Sequence, residues 1–167
     1  MRGVFQVQQK VVYGIHGVCI IQQIQEQIID YQKKLYYVLV PIERSDTQYL
    51  IPVDNEMAVQ KLRPLLTKEE LMHLLSHKAL TEDVWIPEEN LRKVRYKELI
   101  NSGERPMLLA MVRTLRLYKK RQLEQGRKLH QCDDNFLRDA ERLIYAEFSI
   151  VLDISPAEVE NYLAQYL

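Results

Sequence analysis

The sequence predicts an α+β protein in which a small N-terminal antiparallel β sheet or barrel precedes an all-α region of about five helices. Two observations carry this expectation. Short runs of β-branched and aromatic residues, separated by turn residues, occupy positions 4–52, and after Pro64 the apolar residues recur at helical instead of alternating spacing. A third observation narrows it: strands and helical stretches do not alternate, so the parallel sheet of nucleotide-binding folds is not expected. A chain of 167 residues accommodates one domain or two small ones, and the change of period places the boundary between 1–65 and 66–167.

Each element follows from local residue chemistry. Val11-Val12-Tyr13 and the runs at 18–21, 36–40 and 49–51 are rich in side chains that suit a pleated surface. Gly14, His16-Gly17, residues 30–34 and residues 43–46 supply the turns. Gln22, Gln23, Gln25 and Gln27 are interleaved with isoleucines and read as the wet face of strands, not as low complexity. Thr67-Lys68-Glu69-Glu70 is a capping box, so a helix starts near Lys68 and ends before Thr81, with Leu71, Leu74 and Leu75 at helical spacing. Residues 82–87 connect it to a helix over 91–101 that Ser102-Gly103 stops. The longest helix is expected over 107–124, with Gly126 at its end. Asp133 or Asp134 caps the next, over 135–152, which buries Phe136, Leu137, Ala140, Leu143, Ile144 and Phe148. Ser155-Pro156-Ala157-Glu158 is a second capping box and opens a final helix to Tyr166.

The charge is unevenly placed. The 23 basic and 23 acidic residues sum to zero, yet residues 86–130 hold 12 basic and 5 acidic side chains, while residues 131–167 hold 2 basic and 8 acidic. The basic block runs through Arg92, Lys93, Arg95, Lys97, Arg105, Arg113, Arg116, Lys119, Lys120, Arg121, Arg127 and Lys128. It reads either as a phosphate-facing surface or as solvated helix faces that pair with the acidic segment.

Several function classes find no support. Apolar residues at 47 % and charged ones at 28 % argue for a packed core and against disorder. No apolar run approaches the ~20 residues that span a bilayer. The start lacks a signal-peptide pattern, so a cytoplasmic protein without membrane partners, with Cys19 and Cys132 reduced, is expected. There is no glycine-rich phosphate loop, no G-x-S-x-G and no H-E-x-x-H; no enzymatic activity, small-molecule substrate or cofactor is expected. His16-x-x-Cys19 with His130-x-Cys132 offers four zinc-type ligands, but the spacing lacks a regular knuckle, and buried thiols with surface histidines account for it. His73 and His77 lie at i, i+4 without a third ligand and read as surface residues.

Trp85, the sole tryptophan, stands in a loop just before the basic block. It closes a small core, or it presents an apolar ring that can wedge against a base step in a minor groove. The sheet, for its part, leaves edges that can accept a partner's strand or be covered by the chain's own loops.

An ordered set of segments then becomes informative: Val4-Phe5-Gln6-Val7, Lys10-Val11-Val12-Tyr13 and His16-Gly17-Val18, followed by Tyr36-Tyr37-Val38-Leu39, Ile51-Pro52-Val53-Asp54-Asn55 and Leu62-Arg63-Pro64. Asn101-Ser102-Gly103, Val112-Arg113-x-Leu115 and the stretch 143–152 continue it. Together they resemble, over essentially the whole chain, a divergent branch of the CarD/CdnL family of bacterial transcription regulators. The resemblance implies a Tudor-like N-terminal domain that binds the RNA polymerase β subunit and a helical domain that contacts promoter DNA beside the opening bubble. Such proteins regulate initiation by tuning open-complex stability. By position, the polymerase contact falls on Gln27, Ile29, Tyr49 and Leu50. The DNA contact falls on Trp85, with Arg92, Lys93, Arg95, Lys97, Arg113 and Lys119 on phosphates.

The chain departs from the family pattern at several places. Gln8-Gln9 stands where Gly-Asp is usual, and Gln27 and Leu50 where arginine is common, which leaves backbone pairing and apolar contact to hold the polymerase. The family's usual tryptophan position falls on Glu89, four residues after Trp85, and Asp133-Asp134-Asn135 replaces a more basic stretch, which implies weak, non-specific DNA binding. The alternative from another class is a protein-interaction adaptor whose helices bind a second protein in place of DNA.

Overall fold

The computed structural model describes residues 5–76 and 82–167, and the chain divides into two compact units, Met1–Leu65 and Leu66–Leu167. In the first, β1 (Lys10–Tyr13), β2 (Val18–Ile29), β3 (Gln32–Pro41), β4 (Tyr49–Pro52) and β5 (Leu62–Pro64) form one antiparallel sheet in the order β4-β3-β2-β1-β5. The α+β expectation holds, and among the described residues the sheet is open, with β4 and β5 at its edges. A 3-10 turn at Gly14–His16 joins β1 to β2 and closes on Gly17 at φ +75°, a conformation that glycine reaches without a Cβ clash.

β2 is the main difference from expectation: it runs eight residues past Ile21, to Ile29, and pairs along β3 to Gln32. The turn is only Asp30-Tyr31, with φ of +50° and +63°, the two-residue geometry that suits the right-handed twist of a hairpin. A bulge shifts the register from Ile21↔Leu39 to Gln23↔Val38. Partners directly opposite share a face, so beyond the bulge Ile24, Glu26 and Ile28 lie on the side of Tyr37, while Gln23, Gln25, Gln27 and Ile29 lie on the other. The core on the Tyr37 side is Val11, Cys19, Ile21, Tyr37, Leu39, Ile51 and Leu62. Two elements escaped the sequence reading. One is α1 (Glu56–Val59), a single turn capped by Asn55, whose Oδ1 accepts from Ala58 N at 3.1 Å; the other is the three-residue β5. Both are shorter than any periodicity can reveal.

The second unit contains α2 (Lys68–Leu75), α3 (Glu89–Ser102), α4 (Arg105–Glu124), α5 (Gln131–Leu152) and α6 (Pro156–Leu163), five helices among its described residues. The first of these ends at Leu75, before Thr81 as expected, with Ser76 as its C-cap, while the His73/His77 pair involves His77, which lies outside the described residues. α5 packs against each of the other four, and its stripe of Leu137, Ala140, Leu143, Ile144 and Phe148 is buried with Leu71, Tyr96, Leu109, Met111, Leu115, Val159 and Leu163. Glu88 caps α3 by accepting from Asn90 N and Leu91 N, and Gly103 ends it at φ +65°. The Ser155 box forms in full: Ser155 Oγ accepts from Glu158 N at 3.2 Å, and Glu158 Oε2 accepts from Ser155 N at 2.7 Å.

The start of α5 corrects an expectation. His130, not Asp133 or Asp134, occupies the N-cap position, and both aspartates lie inside the first turn. There their charge suits the positive end of the helix, and their carboxylates reach across to neighbouring helices. α6 ends at Leu163, short of the expected Tyr166.

Candidate functional site

On the sheet, strand alternation and the bulge decide which side chains act together. Gln27 and Ile29 on β2 lie on the same face as Leu50, whose partner across the ladder is Val38. Ile29 and Leu50 are exposed and Gln27 is half-buried. Leu50 sits in the row of Gln23, so roughly 20 Å of strand separates it from Ile29. Tyr49 belongs to the opposite face. It pairs with Leu39, packs on the core and sets its ring 4.4 Å from His16 and 5.4 Å from Tyr13, centroid to centroid. It is thus a supporting residue behind Leu50, because neighbours along a strand point to opposite sides. The projecting part of the hairpin also exposes Ile24, Ile28 and Leu35, and Tyr31 at its tip is wholly exposed.

In the helical unit, residues 82–87 are pinned on three sides. Val84 N donates to Thr114 Oγ1 at 3.2 Å, Tyr96 OH donates to Val84 O at 2.9 Å, and Trp85 N donates to Asp83 Oδ1 at 2.9 Å. This places the half-buried Trp85 ring flat on Tyr118 of α4, centroids 3.5 Å apart and planes 12° off parallel. The opposite face meets the Arg92 guanidinium, 4.3 Å from the ring centroid. Both readings of Trp85 were incomplete. The indole packs against the helical core yet remains partly open, with both faces covered.

Arg92 does not serve as a phosphate contact. It is 3 % exposed and forks onto Asp133 through Nε to Oδ1 and Nη2 to Oδ2, both at 2.9 Å, while Nη1 donates to Ile86 O at 2.8 Å. The Asp133 hydrogen bond raises the guanidinium still further above its ordinary value, so it stays charged in this buried place. The rest of the basic block divides in two. Arg105 forks onto Glu147 at 2.6 and 2.7 Å, Arg116 bonds Glu141, Glu160 and the Tyr145 hydroxyl, and Lys119 bonds Asp134 at 2.9 Å. These pairs tie the basic helices to the acidic segment, chiefly α5. Lys93 holds Glu89 at 2.9 Å and keeps that carboxyl below the usual carboxylate range, and Arg95 meets Glu98 at 3.4 Å. Arg113 is half-buried. Lys97, Lys120, Arg121, Arg127 and Lys128 are exposed and form no ion pair among the described residues.

Other chemistry is sparse. Cys19 is buried, and burial pushes its thiol up to about 11. His16 meets the rings of Tyr13 and Tyr49 at a tilt, and among the described residues no group of three or more His, Cys, Asp or Glu is placed to hold a metal ion. No helix among them is long and apolar enough to cross a membrane.

Against this geometry, comparison with known proteins is decisive for the N-terminal unit. Residues 5–64 match the family model of the CarD-like/TRCF RID domain. They form a CarD-like domain. RID denotes an RNA polymerase-interacting domain, and the matched residues contain all five strands of the sheet. The family resemblance read from the sequence is therefore met. A Bacillus subtilis (strain 168) protein named "Putative transcription factor YdeB" is 24 % identical over 163 residues, 95 % of this chain and 99 % of the relative. Both comparisons point to transcription and away from catalysis.

Sequence reasoning missed two features around these sites. The first is the length of the CarD-like domain's hairpin, for which the isoleucines at 24, 28 and 29 among glutamines were the available signal. The second is Tyr118, the stacking partner of Trp85. An aromatic residue followed by Lys119 and Lys120 hinted at it, but no spacing rule links positions 33 residues apart.

Proposed function

We propose that this protein is a transcription regulator whose CarD-like domain docks on the β subunit of RNA polymerase while its helical unit touches promoter DNA and modulates open-complex stability. The observation that carries the reading is the match of residues 5–64 to an RNA polymerase-interacting domain. The transcription-factor name of a relative that aligns over 95 % of the chain supports it. Leu50, Gln27 and Ile29 are the docking side chains, and the β4 edge offers main-chain hydrogen bonds to a strand of the polymerase. DNA is met by the open edge of the Trp85 ring and by Lys97, Arg95, Lys93, Arg113 and Lys119. The exposed Lys120 and Arg121 add to them, and Arg92 is left out for the reason given above.

The mechanism is differential binding. A protein already held on the polymerase that touches open-promoter DNA better than closed DNA shifts the opening equilibrium by the difference, and about 1.4 kcal/mol changes it tenfold. So small a difference needs few contacts, which fits a basic block about half of which is matched by acids. The test is a pull-down with the polymerase β lobe, joined to open-complex decay kinetics. Leu50→Glu is expected to abolish capture, and Trp85→Ala to shorten open-complex lifetime with capture intact. Failure of the unaltered chain to associate with polymerase at any salt concentration overturns the reading.

The adaptor reading is favoured by one observation, the pairing of Arg92, Arg105, Arg116 and Lys119 with acids of the C-terminal segment. If it is correct, promoter DNA adds nothing to polymerase capture.

A further inference from the structure

Beside the stacked ring pair lies a pocket of about 350 Å3, confined to the helical unit, which shares Trp85 with the proposed DNA contact but whose cations, Arg127 and Lys128, neither polymerase docking nor that contact uses. Trp85, Tyr118 and Leu129 provide an apolar wall, Gln122 an amide, and Arg127 and Lys128 the cations. Two acids also line it, but each is already matched: Asp133 by the Arg92 fork and Glu89 by Lys93. Arg127 and Lys128 are exposed and without an ion pair among the described residues, so they are the charges left uncompensated.

The volume lies in the roughly 300–1,000 Å3 range of small-molecule sites, more than a lone oxyanion requires. An aromatic and aliphatic wall at one side and paired cations at the other match a ligand with a planar apolar part and an anionic part. An amide between them can both donate to and accept from a heterocycle edge. We propose that this pocket binds a nucleoside phosphate, its base against Trp85, Tyr118 and Leu129 and its phosphate on Arg127 and Lys128. Since Tyr118 and Arg92 cover the two faces of the indole, the base meets ring edges, whose positive rim attracts base carbonyls and ring nitrogens. A free nucleotide and an unpaired nucleotide of a strand share this chemistry. The proposal does not depend on polymerase docking.

The test uses the full chain and its own fluorophore, since Trp85 is the single tryptophan and lines the pocket. Emission is titrated with AMP, with a single-stranded oligodeoxyadenylate, with adenosine and with inorganic phosphate. AMP, the strand or both are expected to give a saturable change that adenosine and phosphate do not reproduce at the same concentrations. Saturation by AMP identifies a free nucleotide as a ligand, and saturation by the strand alone identifies a nucleotide held in a chain. The double substitution Arg127→Ala and Lys128→Ala, at exposed positions, is expected to weaken binding at least about tenfold with an unchanged melting temperature, because charged hydrogen bonds are lost. The proposal is overturned if neither AMP nor the strand saturates, if inorganic phosphate competes as well as AMP, or if the double variant binds as tightly as the parent. Duplex binding, followed separately by anisotropy, decides the promoter-contact reading on its own terms.

Discussion

Replacing Arg92 with methionine separates a structural role from a nucleic-acid role. The side chain makes two 2.9 Å bonds to Asp133 and one of 2.8 Å to Ile86 O, and the Asp133 side chain is 1 % exposed. Its loss strands a carboxylate in the interior without a counter-charge, which costs about 3–5 kcal/mol. Removal of the cation from the Trp85 face adds about 0.5–2 kcal/mol. Against a total stability on the order of 5–15 kcal/mol, this is a large fraction. With urea slopes of roughly 1–3 kcal/mol per molar for small proteins, the unfolding midpoint falls by at least about 1 M. Trp85 emission reads the helical unit directly, because the indole touches Arg92. Pairing the change with Asp133→Leu leaves neither charge unmatched, and most of the loss is expected to return. A single variant within about 0.5 kcal/mol of the parent, or a double variant no better than the single, refutes the argument. A phosphate contact gives another signature: normal stability, and a DNA-binding salt slope shallower by about one unit.

Two further outcomes follow from ionisation. The hydrogen bond from Lys119, reinforced by Arg138, holds the Asp134 carboxyl below the usual carboxylate range. Its folded value thus lies below the unfolded one near about 3.9, so its stabilisation is present above that pH and is lost as pH falls through the folded value. Acid titration of stability is expected to be flatter for Asp134→Asn than for the parent, and identical curves contradict the pair. The second outcome concerns the thiols. Cys19, buried and pushed up to about 11, is expected to resist iodoacetamide at neutral pH while half-buried Cys132 reacts first. Equal labelling by mass spectrometry refutes this.

What could be read in advance depended on the range of the determining interaction. Thr67, Ser155 and Gly103 act within a few residues of themselves, and the helix ends they mark stand where local chemistry puts them. The start of α5 did not, because Asp133 is drawn to Arg92, 41 positions away, and no local rule weighs that bond against a cap. The candidate DNA surface was legible as composition but not as availability. A list of basic residues cannot tell Lys97, which faces solvent, from Arg105, whose charge is spent on Glu147. On the sheet, Leu50 and Tyr49 are adjacent in sequence and opposite in space, and the turn expected over 30–34 narrows to Asp30-Tyr31 once the pairing is known.

The extra residue between Ile21 and Gln23 also makes the hairpin a phase switch. Gln22 is left out of the pairing, so that Gln23 meets Val38 and Ile24 meets Tyr37; taking Gln22 into the ladder in strict alternation from Ile21 carries the isoleucines at 24 and 28 to the opposite side and brings the glutamines in their place. Absorbing that one residue into the pairing therefore exchanges an oily contact surface for a hydrated one with no change in composition. Loss or movement of the bulge is thus a more abrupt route to a new docking partner than any point substitution on the arm.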